Sequence, residues 1–90
     1  MDKDKHASDP LYKAIWDKLS EKFQPSHLEV ITEKPGHWKV IVVSEYFKGL
    51  GLLDRHRSVQ DCLKTEMESD IHALTIVSKT AEEWAKMNQK

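Results

Sequence analysis

The 90-residue sequence predicts an α+β fold: a single domain in the order α-β-β-α-α-β-α, with helices packed on one face of a three-stranded sheet. Three observations carry that prediction. Apolar residues recur at helical spacing from Leu11 to Phe23. Two stretches rich in β-forming residues, 27–32 and 37–44, flank a four-residue turn. Two Ser/Thr-x-x-acid patterns, at Ser58 and Thr80, announce helices on either side of a third β-rich stretch, 71–77. Residues 1–8 read as a polar, disordered leader with nothing to bury, and 9–90 as the domain.

Each element has a local cause. Asp9 followed by Pro10 is a helix start, with the carboxylate as N-cap and the proline in the first helical position, where a missing N–H costs nothing. Leu11, Tyr12, Ile15, Trp16, Leu19 and Phe23 form one stripe, and Pro25 ends the helix because the residue before a proline avoids helical angles. Leu28 and Val30 alternate with His27 and Glu29 as in a strand, and Glu33-Lys34-Pro35-Gly36 makes the turn of an antiparallel hairpin. The centre of the second strand, Val40-Ile41-Val42-Val43, is apolar on both faces, so one side is expected to be covered and the other partly shielded. Gly49 and Gly51 mark a loop. Asp54-Arg55-His56-Arg57 reads as one short helical turn, and Ser58 with Asp61 as a capping box that opens a helix with the stripe Val59, Cys62, Leu63 and Met67. Thr80 with Glu83 opens the last helix, and Trp16, Trp38 and Trp84 are all placed in the core.

Charge and composition narrow the function. With 15 acidic and 14 basic residues the net charge is −1, and neither half of the chain carries a basic surplus to support strong non-specific nucleic-acid binding. The single Cys62 rules out an internal disulfide and a cysteine-only metal site; on its helix stripe a thiol packs as a small hydrophobe. No apolar run approaches a membrane span, and the charge-alternating N-terminus reads as neither a secretory nor a mitochondrial signal. A reducing compartment, cytoplasmic or nuclear, is expected. No Ser/His/Asp or Cys/His arrangement, P-loop or metalloprotease pattern occurs, so no enzyme is expected.

Several segments at particular spacings, taken together, resemble the BolA family. They are Val43-Ser44-x-x-Phe47-x-Gly49, Arg55-His56-Arg57-x-Val59, Leu63-x-x-Glu66, Ile71-His72-Ala73-Leu74 and Thr80-x-x-Glu83-Trp84. The Arg-His-Arg triplet combined with the Ile-His-Ala-Leu strand is the specific part. The resemblance implies a fold like the type II KH domain and a non-enzymatic protein. It implies a monothiol glutaredoxin as partner, the pair sharing a 2Fe–2S cluster, together with glutathione, in iron–sulfur trafficking or iron regulation. The isolated protein is then a monomer without a cluster. The family's founding member was also described as a DNA-binding regulator, which makes DNA a second candidate partner.

On this resemblance the cluster ligand from the third strand falls on His72. A neutral imidazole can replace a thiolate on one iron of a 2Fe–2S centre. Imidazole also takes up a proton near neutrality, so the bond is acid-labile, which suits a carrier. Without the family, His72 reads as a strand histidine hydrogen-bonded to a neighbouring backbone group. The family's second ligand comes from the first hairpin loop. Here that loop is short and holds neither cysteine nor histidine, which leaves His37, at the start of the second strand, as the nearest candidate and His27 as a weaker one. His37 reads equally well as a solvated strand-end residue beside Trp38. Arg55, His56 and Arg57, just ahead of the Ser58 helix start, are candidates for holding a DNA phosphate or a partner's carboxylate. The alternative is two solvated arginines paired with Asp54, Asp61 or Glu66. The Gly-x-x-Gly loop with which KH domains grip single strands has no counterpart near Arg57.

Overall fold

In the computed structural model, which describes residues 10–88, helix α1 (Pro10–Phe23) leads into the hairpin β1 (His27–Lys34) and β2 (His37–Val43). A 3-10 turn (Glu45–Phe47), α2 (Leu52–Cys62) and α3 (Lys64–Ser69) follow, then β3 (Ala73–Lys79) and α4 (Ala81–Asn88). The element order and the three-stranded sheet are those the sequence predicts. The sheet order is β1-β2-β3, with β1 and β2 antiparallel and β2 and β3 parallel. A parallel pair cannot be joined by a tight turn, so α2 and α3 serve as the crossover. The leader and the Asp9 cap lie outside the described residues.

Ile15, Leu19 and Phe23, one helical turn apart, put one face of α1 into a core shared with Val30, Trp38, Val40, Val42, Phe47, Val59, Leu63 and Ile71. Trp16 does not join them, contrary to its placement in the core. It stacks on Tyr12 one turn earlier, with ring centroids 6.1 Å apart, and is 38% exposed. A one-residue step turns a helix by about 100°, so the neighbour of Ile15 sits on the flank of the buried stripe. The helix ends as Pro25 requires, through a left-handed Gln24 (φ 45°) whose N–H donates to Ser20 O at 3.0 Å. Val40 to Val43 are all buried, Ile41 and Val43 on the side of the sheet away from the main cluster. At that end of the sheet Trp84 of α4 stacks on His27, the cross-strand partner of Val43, at 5.0 Å.

Three of the boundaries that differ from the sequence reading do so for a hydrogen-bonding reason. First, β1 runs on to Lys34 because the register shifts between Thr32 and Lys34. The Thr32 hydroxyl satisfies the disturbed carbonyls of Lys34 and His37 at 3.1 and 3.0 Å, leaving a tight Pro35-Gly36 turn with Gly36 at φ +81°. Second, α2 is one continuous helix from Leu52, so Arg55-His56-Arg57 lies inside it rather than ahead of it. Ser58 caps nothing; its hydroxyl donates back to Asp54 O at 3.0 Å within the helix. The break between the helices falls at Leu63 instead. Third, β3 starts at Ala73. The N–H groups of Asp70 and Ile71 both donate to Glu66 O, closing α3, and buried Ile71 belongs to the core rather than to the strand.

Candidate functional site

The end of the sheet where β1 turns into β2 and β3 begins collects two of the five histidines. Gly36 O accepts from the backbone N–H groups of both His72 (2.8 Å) and Ala73 (3.0 Å), which fastens the start of β3 to the hairpin turn. His37, the first residue of β2, is in register with Ala73. His72 therefore lies in the bend just before β3, beside Gly36 and next to the residue that precedes His37. Both side chains are exposed, and among the described residues neither ring has a hydrogen bond or ion pair. The strand-histidine alternative, a ring bonded to backbone, is not what the geometry gives. Among the described residues no group of three or more His, Cys, Asp or Glu is arranged to hold a metal, so His72 and His37 could supply at most two nitrogen donors to one. Two imidazoles suit iron, zinc or copper and would leave further positions to be filled from elsewhere.

His27 is not part of this set. It sits at the opposite end of the sheet, its Nε2 2.7 Å from Glu29 Oε2 and its ring against Trp84. A cavity of about 510 Å³, lined by Pro10, Leu11, Ala14, Glu66 and Asp70, lies between α1 and α3. Neither His72 nor His37 lines it.

The arginine triplet divides. Arg55 is turned inward, its side chain only 12% exposed. Its Nε donates to Leu50 O at 2.9 Å, Nη1 to Ser78 O at 3.2 Å and Glu83 Oε1 at 2.7 Å, and Nη2 to Glu83 Oε2 at 3.2 Å. The partners suggested by sequence, Asp54, Asp61 and Glu66, are not used; Glu66 instead bonds Lys18 Nζ of α1 at 2.6 Å. Glu83 also accepts from the Thr80 N–H at 2.9 Å, while Thr80 Oγ1 accepts from the Glu83 N–H, a reciprocal cap at the start of α4. The hydrogen bond from the Arg55 guanidinium, seconded by the Thr80 N–H, holds the Glu83 carboxyl down to about 2. With each of its three nitrogens donating into the protein, Arg55 is a clamp between α2, β3 and α4. Of the triplet, His56 is half-buried and Arg57 alone is exposed. Ser78, which Arg55 grips, lies five residues along β3 from Ala73, about 17 Å of strand. The clamp and the two histidines occupy opposite ends of the sheet.

The remaining motif residues serve the fold as well. Ser44 donates to Phe23 O and accepts from the Tyr46 N–H, tying β2 to the end of α1. Phe47, Val59, Leu63 and Ile71 are core. Cys62 is half-buried, its thiol donating to Lys18 O, and burial pushes its pKa up, away from the reactive thiolate. Polar motif side chains left facing solvent come down to His72 and Arg57. The sequence reading missed Gly36, whose only signal was its place after a proline in a turn, and the second task of Glu83, which its capping role concealed.

Among the described residues, a three-stranded mixed sheet with four helices and a solvent-facing histidine ahead of the last strand defines a small α+β domain. The BolA-like protein family model matches residues 19–83, and the chain belongs to that family. A relative from Vibrio cholerae, named a DNA-binding transcriptional regulator BolA, is 45% identical over 82 residues, covering 81% of this chain and 77% of its own. The solution structure of BolA1 from Mus musculus superposes with a TM-score of 0.82 at 35% identity, covering 92% of this chain and 75% of that one. BolA1 from Arabidopsis thaliana gives 0.77 at 32% identity, with 83% and 96% covered. These matches point to no catalytic family. Among the described residues no helix is long and apolar enough to cross a membrane.

Proposed function

We propose that this chain is a non-enzymatic adaptor that binds a monothiol glutaredoxin and contributes His72 to a 2Fe–2S cluster which the glutaredoxin brings with its glutathione. The observation that carries the reading is the His72 imidazole, exposed and unbonded while nearly every other motif side chain is engaged in the fold. His37, on the same end of the sheet, is the second donor. A neutral imidazole supplies a nitrogen lone pair to iron, and protonation of that nitrogen releases the metal, which fits handing a cluster on in the cytoplasm or nucleus. The thiolates come from the partner, because Cys62 is half-buried and held in its protonated form.

Mixing the protein with a cluster-loaded monothiol glutaredoxin tests this directly. The visible absorption and circular dichroism of the cluster change and a joint species elutes on gel filtration. Unchanged spectra with separate elution would rule the reading out. His72→Ala abolishes the spectral change, and His37→Ala weakens it.

A second reading, DNA binding, is favoured by the name of the Vibrio cholerae relative. Here it falls on Arg57, since the guanidinium of Arg55 is occupied. It requires retardation of duplex DNA that weakens steeply with salt and is reduced by Arg57→Ala; binding that ignores salt would exclude it.

A further inference from the structure

The aim of the His72 ring comes from a residue with no side chain. A Cβ built on Gly36 would stand 2.3 Å from His72 Cδ2, 3.1 Å from Cγ and 3.4 Å from Cβ. The imidazole therefore lies directly on the Gly36 backbone, with the Cβ–Cγ–Cδ2 side of the ring against the turn. The same glycine fixes the backbone of that histidine, because Gly36 O accepts from both His72 N and Ala73 N. Gly36 also needs its left-handed φ of +81° to complete the two-residue turn with Pro35. Main chain and ring of His72 are thus both referenced to one residue, in a hairpin pinned by the Thr32 hydroxyl.

We propose that Gly36 is a positioning residue: its bare Cα is the seat that pre-orients the His72 imidazole before any partner arrives. This rests on His72 being the ligand, but the seat itself can be tested without metal. In the isolated wild-type protein a nuclear Overhauser contact joins the His72 Hδ2 to the Gly36 Hα protons. Its absence would overturn the seat whatever the glutaredoxin experiment gives.

Two substitutions separate crowding from backbone strain. Gly36→Asn tolerates the left-handed angle but carries a Cβ, so the ring must leave its seat. The expected result is a native circular-dichroism spectrum, a displaced His72 Hδ2 resonance and a response to cluster-loaded glutaredoxin weakened about 10-fold or more, the size seen when groups that orient metal ligands are removed. D-alanine at position 36, introduced by chemical synthesis, accepts the positive φ and projects its methyl to the other side of Cα. It keeps the wild-type ring signals and the wild-type response; where the asparagine variant does not fold, the Overhauser contact of the wild type decides whether the seat exists. Equal cluster responses from wild type and Gly36→Asn, or a D-alanine protein as impaired as the asparagine one, would refute a positioning role. A wild type that fails to respond while its Overhauser contact is present would sink the glutaredoxin reading and leave the seat standing.

Discussion

Replacing His72 by Ala removes an exposed ring with no hydrogen bond, so the fold is expected to register it within about 0.5 kcal/mol while the cluster response is lost. Equilibrium urea unfolding checks the first part; a large loss of stability would mean that the ring packs rather than ligates. Arg55 is the opposite case. Lysine cannot reproduce a planar guanidinium bonded to two carbonyls and both oxygens of one carboxylate, so Arg55→Lys lowers the melting temperature despite keeping the charge. Glu83 links that clamp to pH. Its folded-state pKa is depressed, from an ordinary 4.5 to about 2, so the stabilisation is fully present above about pH 4.5 and is lost as pH falls toward 2. Wild-type melting temperatures decline across that window, and Arg55→Ala flattens the part of the decline that Glu83 contributes.

At the scale of elements, helix ends hold the testable detail. Gln24 occupies the left-handed position that closes α1, where a side chain costs about 1 kcal/mol relative to glycine. Gln24→Gly is expected to stabilise the protein by about that amount in urea unfolding. Thr80→Ala removes one half of the reciprocal cap on α4 and costs about 1 kcal/mol, whereas Thr80→Ser leaves it nearly intact. The type and order of the elements were legible because each rests on local periodicity: the stripe Ile15, Leu19 and Phe23, the apolar run from Val40 to Val43, the Thr80–Glu83 box. What could not be read were places where a distant group overrides a local signal. Ser58 and Asp61 spell a capping box, yet α2 had already begun at Leu52, with Arg55 N bonding Gly51 O. Ile71 looks like strand, but the Glu66 carbonyl takes its N–H and the core takes its side chain. His72 and His37 could be singled out through the family resemblance; that Gly36 draws them to one end of the sheet depends on the parallel register of β3, which no short pattern encodes. Arg55 was misread as a surface residue because its partners lie 23 and 28 positions away.

The whole molecule has one core and little in reserve. A 90-residue domain has a net stability of about 5–13 kcal/mol, so a single cavity matters. Leu63 is fully buried where α2 meets α3. Leu63→Ala is expected to cost about 3 kcal/mol, lowering the urea midpoint without changing the slope of the transition. The pairing of β2 with β3 has a kinetic side as well. Their first paired residues, His37 and Ala73, stand 73 − 37 = 36 positions apart, and the span between them must be closed before any bond of that ladder can form. Local hairpin and helix contacts need no such closure. The corner that holds His37 and His72 is therefore expected to form after the local contacts in a newly made or refolding chain.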